Sequence, residues 1–270
     1  MQAHADPVTQ PMAKRTENVM KRPIDNDIKK TTLASVIKRV IRRAGFEVHR
    51  YIPGRSETAR FVTMLATHRV DLVLDVGANV GWFGKLLREA DFAGKIVSFE
   101  PLAAAREVLL EISEQDPLWE VAPCAAIGEE DGDIELNVAG NSVSSSVLEM
   151  LENHVHVAPE SKYVGKENVL LRKLDTIAPD CIGDDSVLFL KIDTQGYEDR
   201  VLKGAQQLLK RIVGMQLELS LVPLYEGQCL FDEMIDYVKS HGFDLWAISS
   251  AFTDPDSGRL LQVDATFFRR

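Results

Sequence analysis

The chain has 270 residues, 45% of them hydrophobic and 27% charged, an ordinary balance for a globular protein whose core needs neither disulfides nor a structural metal. Its net charge of −10 is uneven: residues 1–60 hold 13 Lys and Arg against 6 Asp and Glu, a net of +7, and residues 61–270 hold 18 against 35, a net of −17, an acidic body that argues against nucleic acid as a partner. Cys124, Cys181 and Cys229 form no zinc spacing, no apolar run is long enough to span a membrane, and the N-terminus lacks the apolar stretch of a secretory signal, so a reducing, cytoplasmic location is expected.

Residues 1–30 are polar, contain Pro7, Pro11 and Pro23 and show no period, which predicts a disordered segment. From Thr32 to Ala44, Leu33, Val36, Ile37, Val40 and Ile41 form one stripe with Lys38, Arg39, Arg42 and Arg43 off it, an amphipathic helix that ends at Gly45. Such a helix docks on the rest of the chain, joins two copies in a homo-oligomer or makes a weak peripheral membrane contact; a solvated basic face is the plainer alternative. Glu57 to Thr67 reads as a second helix burying Phe61, Met64 and Leu65. Residues 31–67 are therefore expected to form a helical extension to one domain covering 68–270.

That domain opens on an apolar run, Val70 to Val76, short and rich in β-branched residues, as a buried parallel strand requires. Gly77 opens a turn, and Gly81 precedes a helix over Trp82 to Ala90. A second strand, Lys95 to Phe99, ends at Glu100-Pro101 and is followed by a helix over Leu102 to Glu114 and a third strand over Trp119 to Ala125. Strand–helix alternation of this kind predicts a doubly wound sheet. Residues 126–175 interrupt it with a half-exposed strand at Asp133 to Val138, a serine-rich segment at Asn141 to Ser146, His154 and His156 in a loop, and a strand at Val169 to Leu174. An insertion of this length is functional or a lid. The alternation resumes with a strand at Val187 to Ile192, a helix at Glu198 to Arg211, a strand at Val213 to Leu219 and a helix at Phe231 to His241. Strands at Phe243 to Ser249 and Leu260 to Phe268 flank the turn residues Asp254-Pro255-Asp256-Ser257-Gly258. The fold class expected is α/β and Rossmann-like: a mostly parallel seven-stranded sheet, helices on both faces and an antiparallel C-terminal strand.

The ligand follows from the two acids at the first strand ends. Glu100 lies twenty-three residues after Gly77, where such folds hold the hydroxyls of a ribose. A pyrophosphate dinucleotide asks for G-x-G-x-x-G, but Asn79 stands at the middle glycine and Asp75 would repel phosphate. S-adenosylmethionine (SAM) brings a sulfonium and an ammonium instead, and Asp75 then attracts. Asp75, Gly77, Ala78, Asn79, Gly81, Glu100 and Pro101 are the expected cofactor contacts, with Ala125, after the third strand, beside the adenine.

L-D-V-G-A-N-V-G at 74–81, F-E-P at 99–101, K-I-D-T-Q-G-Y-E at 191–198 and V-L-K-G-A at 201–205 together resemble the FkbM family of SAM-dependent methyltransferases, over roughly residues 70–250. The resemblance implies the class I methyltransferase fold and O-methylation of hydroxyls on polyketides and on the sugars of secreted or surface glycans. The family's third motif usually reads K-I-D-x-E-G-x-E; Gln195 here replaces the middle acid, so the chemistry is not placed on it.

Methyl transfer needs the acceptor oxygen positioned and its proton removed. Asp193, at a strand end beside the crevice, is the first candidate, as base, as a Mg²⁺ ligand, as a partner of the cofactor's methionine end or as a cap on the next turn. Glu218 ends the neighbouring strand; two acids allow a Mg²⁺ ion without requiring it, and no metal ligand set is assigned. His154, ahead of His156, is the alternative base near neutral pH. Ser144, Ser145, Tyr197 and Glu218 are the expected acceptor contacts, and Trp82 faces either the site or the core. The function expected is SAM-dependent O-methylation of a sugar hydroxyl in a glycan or glycolipid precursor, or of a polyketide hydroxyl. An NAD(P)-dependent oxidoreductase and a non-catalytic SAM-binding protein are the rivals.

Overall fold

The computed structural model describes residues 33–270; the segment expected to be disordered, residues 1–30, lies outside the described residues. The described residues divide into two units, one ending at residue 49 and one covering residues 50–270. In the first, α1 (Leu33–Arg43) contains no acidic residue in its first turn and ends on Arg42 and Arg43.

The second unit starts with α2 (Glu57–Thr67), whose N-terminus is closed by Ser56 Oγ accepting from the Ala59 N–H at 3.2 Å. Then follow β1 (Leu72–Val76), α3 (Trp82–Glu89), β2 (Lys95–Phe99), α4 (Ala103–Ser113) and β3 (Trp119–Val121). The interrupting region supplies β4 (Ala126–Ile127), β5 (Gly132–Ala139), α5 (Glu152–Val157) and β6 (Tyr163–Arg172). The chain closes with α6 (Leu174–Ile177), β7 (Leu188–Ile192), α7 (Glu198–Lys203), β8 (Ile212–Ser220), α8 (Phe231–Ser240), β9 (Phe243–Thr253) and β10 (Leu260–Arg269).

Seven strands form one sheet in the order β3-β2-β1-β7-β8-β10-β9. All pairs from β3 to β8 are parallel, and β10 inserts antiparallel between β8 and β9. The alternation of side chains along a strand separates two cores. Leu72, Leu74 and Val76 of β1 join Val201 and Leu202 of α7 and Met234 and Val238 of α8 on one face. Val73 joins Phe61 and Leu65 of α2, Leu87 of α3 and Leu109 of α4 on the other. The sheet is thus covered by helices on both faces, as its near-continuous apolar strands require. The interrupting region makes its own sheet, β4-β6-β5, with β5 antiparallel to β6.

Four of the differences from the sequence reading have a local cause or bear on the site. The third strand stops at Val121, where its pairing with β2 ends opposite Ser98; the last ladder contact is Ala122 N–H to Ser98 O at 2.9 Å. β6 begins at Tyr163, six residues early, because the polar stretch before Val169 pairs along β5, with Lys166 Nζ 2.7 Å from Glu135 Oε1. His154 and His156 sit on the short helix α5, not in a loop. The helix read over 198–211 breaks after Lys203. There the Gly204 carbonyl accepts from Asp175 N–H at 3.0 Å, while the Asp175 carboxylate takes the N–H groups of Gln207 and Leu208 at 2.9 and 2.8 Å, diverting the helical ladder. A Cβ on Gly204 would overlap the Gly128 carbonyl. Gly204→Ala is therefore expected to lower the melting temperature by about 5–10 °C, from about 2–3 kcal/mol of overpacking; a scanning calorimetry trace unchanged from wild type would refute this reading of the break.

Candidate functional site

The parallel strands deliver their C-terminal turns to one crevice, the usual ligand position in an open α/β sheet. At the end of β1 the N–H groups of Gly77 and Ala78 both donate to Phe99 O at 3.1 Å, tying the first turn to β2. Gly77 has φ +79°, and a Cβ there would overlap the carbonyl of Asp193, the residue after β7, so this position takes only glycine. Asn79 follows with φ +46°. Its N–H donates to Glu100 Oε2 at 2.7 Å, and Leu102 N–H donates to Glu100 Oε1 at 2.8 Å. Glu100 thus braces both turns, and each oxygen keeps a lone pair for a ligand. Its burial, opposed by those two bonds, raises its pKa to about 7.

The opposite wall comes from β7, β8 and β10. Lys191 and Asp193 lie two residues apart, and Lys191 Nζ is 3.2 Å from Asp193 Oδ2 and 3.5 Å from Asp75 Oδ1. Burial opposes the Lys191 charge, but Asp193 and Asp75 outweigh it and hold its pKa above the ordinary value. Gln195, at φ +54°, donates from Nε2 to Asp193 Oδ1 at 2.8 Å and to Glu218 Oε2 at 2.6 Å, while its Oε1 accepts from Tyr225 Oη at 2.7 Å. One amide therefore bridges the two carboxylates at the ends of β7 and β8. Gln262 Nε2 adds a second bond to Glu218 Oε2 at 2.9 Å. Burial first, then Asp193 and Asp264, push the Glu218 carboxyl well above the usual carboxylate range. Burial and Asp193 likewise raise Asp264 to about 7. Glu198, at the start of α7, accepts from Thr194 N–H and Gly196 N–H at 2.8 and 3.2 Å, yet burial still raises it to about 7.

Between these walls lies a cavity of about 450 Å³, within the range of small-molecule sites. Of the residues singled out in the sequence, Gly77, Ala78, Asn79, Glu100, Pro101, Ala125, Ser145, Asp193, Tyr197 and Glu218 line it, as does Trp82. Asp75 lies behind Lys191, fully buried, with Ser98 Oγ on one oxygen at 3.3 Å and no hydrogen bond on the other. Gly81 is a packing glycine: a Cβ there would stand 2.9 Å from Leu109 Cδ1 and 3.2 Å from the Trp119 ring. Ser144 is buried off the crevice, its carbonyl accepting from Tyr225 Oη at 3.2 Å. His154 stacks edge-on to Tyr225 at 5.2 Å and does not line the cavity; burial lowers its pKa to about 4.

The sequence reading passed over Lys191, Gln216 and Asp264, set Gln195 aside and took Ser142 only as part of the serine-rich segment, and all five line the cavity. Lys191 carried a signal: i and i+2 on a strand share a face, so the K-I-D spacing puts it beside Asp193. Asp264 carried none, because its position opposite Glu218 depends on the β8–β10 register.

Four carboxyl groups, Glu100, Asp193, Glu218 and Asp264, therefore face a cavity whose cation, Lys191, is held by two acids. Even with Glu100 and Asp264 near 7 and Glu218 above the usual carboxylate range, the carboxyl oxygens outnumber that one cation, so the surface suits a positively charged ligand better than a pyrophosphate. SAM fits it: Glu100 can accept from a ribose diol, and the carboxyl-rich wall suits a sulfonium and an ammonium. Among the described residues no three His, Cys, Asp or Glu side chains cluster in a metal-ligating arrangement. The raised carboxyls also carry a stability signature. A carboxyl whose folded pKa exceeds its unfolded value stabilises the fold below the unfolded pKa, and that contribution fades as pH rises through the folded one. With Glu100, Glu198 and Asp264 all near 7, the ligand-free protein is expected to melt several degrees lower at about pH 8 than at about pH 5; a flat or rising profile across that window contradicts these environments.

A model of the methyltransferase FkbM domain matches residues 75–245. No curated protein matches the chain. Among solved structures, magnesium protoporphyrin IX methyltransferase (ChlM) from Synechocystis PCC 6803 with bound SAM is similar over 89% of this chain and 100% of that one, at 9% identity and a TM-score of 0.44. TehB from Haemophilus influenzae is similar over 77% of this chain, which spans 61% of TehB, at 10% identity and a TM-score of 0.42.

Proposed function

The chain belongs to the methyltransferase FkbM domain family and is a SAM-dependent methyltransferase, and on that premise we propose that its acceptor is a hydroxyl group deprotonated by Asp193. The observation that carries this reading is the Asp193 carboxylate itself, at the mouth of β7, with one oxygen on Gln195 and the other on Lys191. Both partners donate, so the carboxylate is oriented and its acceptor capacity is kept toward the cavity. The bound cofactor supplies a methyl group already activated on a sulfonium. Glu100 would hold the ribose through its two free lone pairs, Gly77 to Asn79 would give the backbone approach beside it, and Pro101 and Ala125 would lie toward the adenine.

The acceptor end is the amide and carboxyl surface of Gln195, Gln216, Glu218 and Asp264, with Ser145 and Tyr197 on the adjoining rim. Such a lining is polar and rich in hydrogen-bond acceptors, as a polyhydroxylated molecule requires, which favours a sugar hydroxyl of a glycan or glycolipid precursor over a polyketide hydroxyl. The domain division that goes with this reading is residues 68–270 as the methyltransferase domain, with 126–175 as an insertion that brings Ser142 and Ser145 to the rim.

Two measurements test it. Titration with S-adenosylhomocysteine is expected to show saturable binding that weakens about 10–100-fold in Glu100→Ala, the loss of hydrogen bonds to a charged group. Binding of NADH in preference to S-adenosylhomocysteine would return the site to a dinucleotide. Incubation with methyl-labelled SAM and a panel of sugar and polyketide acceptors is expected to give an O-methyl ether; transfer to nitrogen or carbon instead would remove the hydroxyl assignment.

A further inference from the structure

Helix α1 has two faces that a helix in water does not need together. Ile37 is 48% and Val40 60% exposed, and past the turn at Gly45 the apolar exposure continues with Phe46 at 69% and Val48 at 52%. Lys38, Arg39, Arg42 and Arg43 are all exposed as well. The acid of this segment, Glu47, pairs with Arg42 at 3.2 Å, so Lys38, Arg39 and Arg43 leave the segment with a net positive charge. A helix kept in solution presents polar residues outward; β-branched side chains on one face and cations on the other are the arrangement of a helix lying in a membrane interface.

Charge selects the kind of surface. Residues 61–270 carry a net charge of −17 and are repelled by anionic lipid, so attraction to such a surface has to come from the basic N-terminal segment. Geometry selects the mode. Among the described residues no helix is long and apolar enough to cross a membrane, and α1 has 11 residues, so it lies along the interface rather than through it. We propose that α1, together with Phe46 and Val48, is an amphipathic foot that rests on a bilayer bearing anionic headgroups.

The test is co-sedimentation of the full chain with vesicles of phosphatidylcholine alone and of phosphatidylcholine containing about a third phosphatidylglycerol. At least about tenfold more bound protein is expected on the anionic vesicles at low salt, falling as salt screens the cations. Val40→Glu and the pair Lys38→Glu/Arg42→Glu are each expected to abolish binding while leaving S-adenosylhomocysteine affinity unchanged, which separates loss of the foot from loss of the fold. In Ile37→Trp, emission from the new indole, read as the difference from wild type, is expected to shift to the blue on anionic vesicles only. Equal binding to both vesicle types, undiminished binding by Val40→Glu, or a dimer that Val40→Glu dissolves in a chain that ignores vesicles would overturn the proposal, the last by giving the face to a second copy. Displacement from the vesicles by RNA at the same ionic strength would also overturn it. The prediction stands apart from the methyltransferase reading, since it needs neither SAM nor an acceptor.

Discussion

Replacing Asp193 with Asn is expected to slow transfer to a hydroxyl acceptor by about 10²–10⁴-fold, the usual contribution of a positioned general base, with the affinity for S-adenosylhomocysteine held within about threefold. The substitution preserves shape. The Asn carbonyl can still accept from Gln195 Nε2, which stands 2.8 Å from Asp193 Oδ1. What changes is the second oxygen, 3.2 Å from Lys191 Nζ, which becomes an amide donor facing a cation. That contact weakens and the proton acceptor disappears. Because Asp193 acts on the acceptor, the loss should fall on kcat, with KM for the cofactor little moved. The outcome that sinks the assignment is specific: a fall in S-adenosylhomocysteine affinity as large as the fall in rate would make Asp193 a cofactor ligand, and a rate within a few-fold of wild type would leave it a structural acid. His154 offers a contrast. Stacked on Tyr225 and held neutral by burial, it is positioned to pack, and its removal should act through stability.

The parts of this site that could be read from sequence are those written in consecutive residues. The turn from Val76 to Gly81 and the acid at Glu100 are local consequences of a strand ending in a crevice, and the structure brings Gly77, Asn79 and Glu100 together through bonds between neighbouring turns. The strands that are buried on both faces were legible for the same reason, since their apolar runs have no other stable setting. Legibility failed where partners are distant. Gln195 reads as a lost acid in its motif, yet its amide is what lets Asp193 and Glu218 sit within reach of one group, and its own oxygen is fixed by Tyr225, thirty residues on. Asp264 enters through an antiparallel register. Gly81 fits a glycine-rich ligand turn as well as a packing contact with Trp119, and only the position of β3 decides between them. The helix after Glu198 has an unbroken apolar period, and what ends it is Asp175, on another element, taking its N–H groups. Tertiary contact overrode local pattern in each case.

Lys191→Met is expected to destabilise the fold by about 3–5 kcal/mol, the scale on which removing one partner of a buried ion pair leaves the other charge uncompensated. At about 2–4 °C per kcal/mol for a domain of this size, that is a fall of roughly 10–15 °C in melting temperature. The ammonium stands 3.5 Å from Asp75 Oδ1 and 3.2 Å from Asp193 Oδ2, with the Phe83 ring 5.4 Å away. Methionine matches the length of the stem, so packing loss is small and the electrostatic term, which includes the ammonium's place over the Phe83 ring, dominates. Asp75 bears most of it: it is fully buried, and without Lys191 its remaining side-chain partner is Ser98. Burial already raises the Asp75 pKa, with Lys191 the largest opposing influence. Removing that influence raises it further, so the variant's deficit should grow as pH rises through the new value and shrink in acid, where Asp75 is protonated. The double variant Lys191→Met/Asp75→Asn removes the stranded charge and should recover most of the loss, a coupling that a simple packing defect would not produce. If the double variant melts no higher than Lys191→Met alone, or the single substitution loses less than about 1 kcal/mol, the pair does not hold the two strand ends together and the orientation of Asp193 must rest on Gln195.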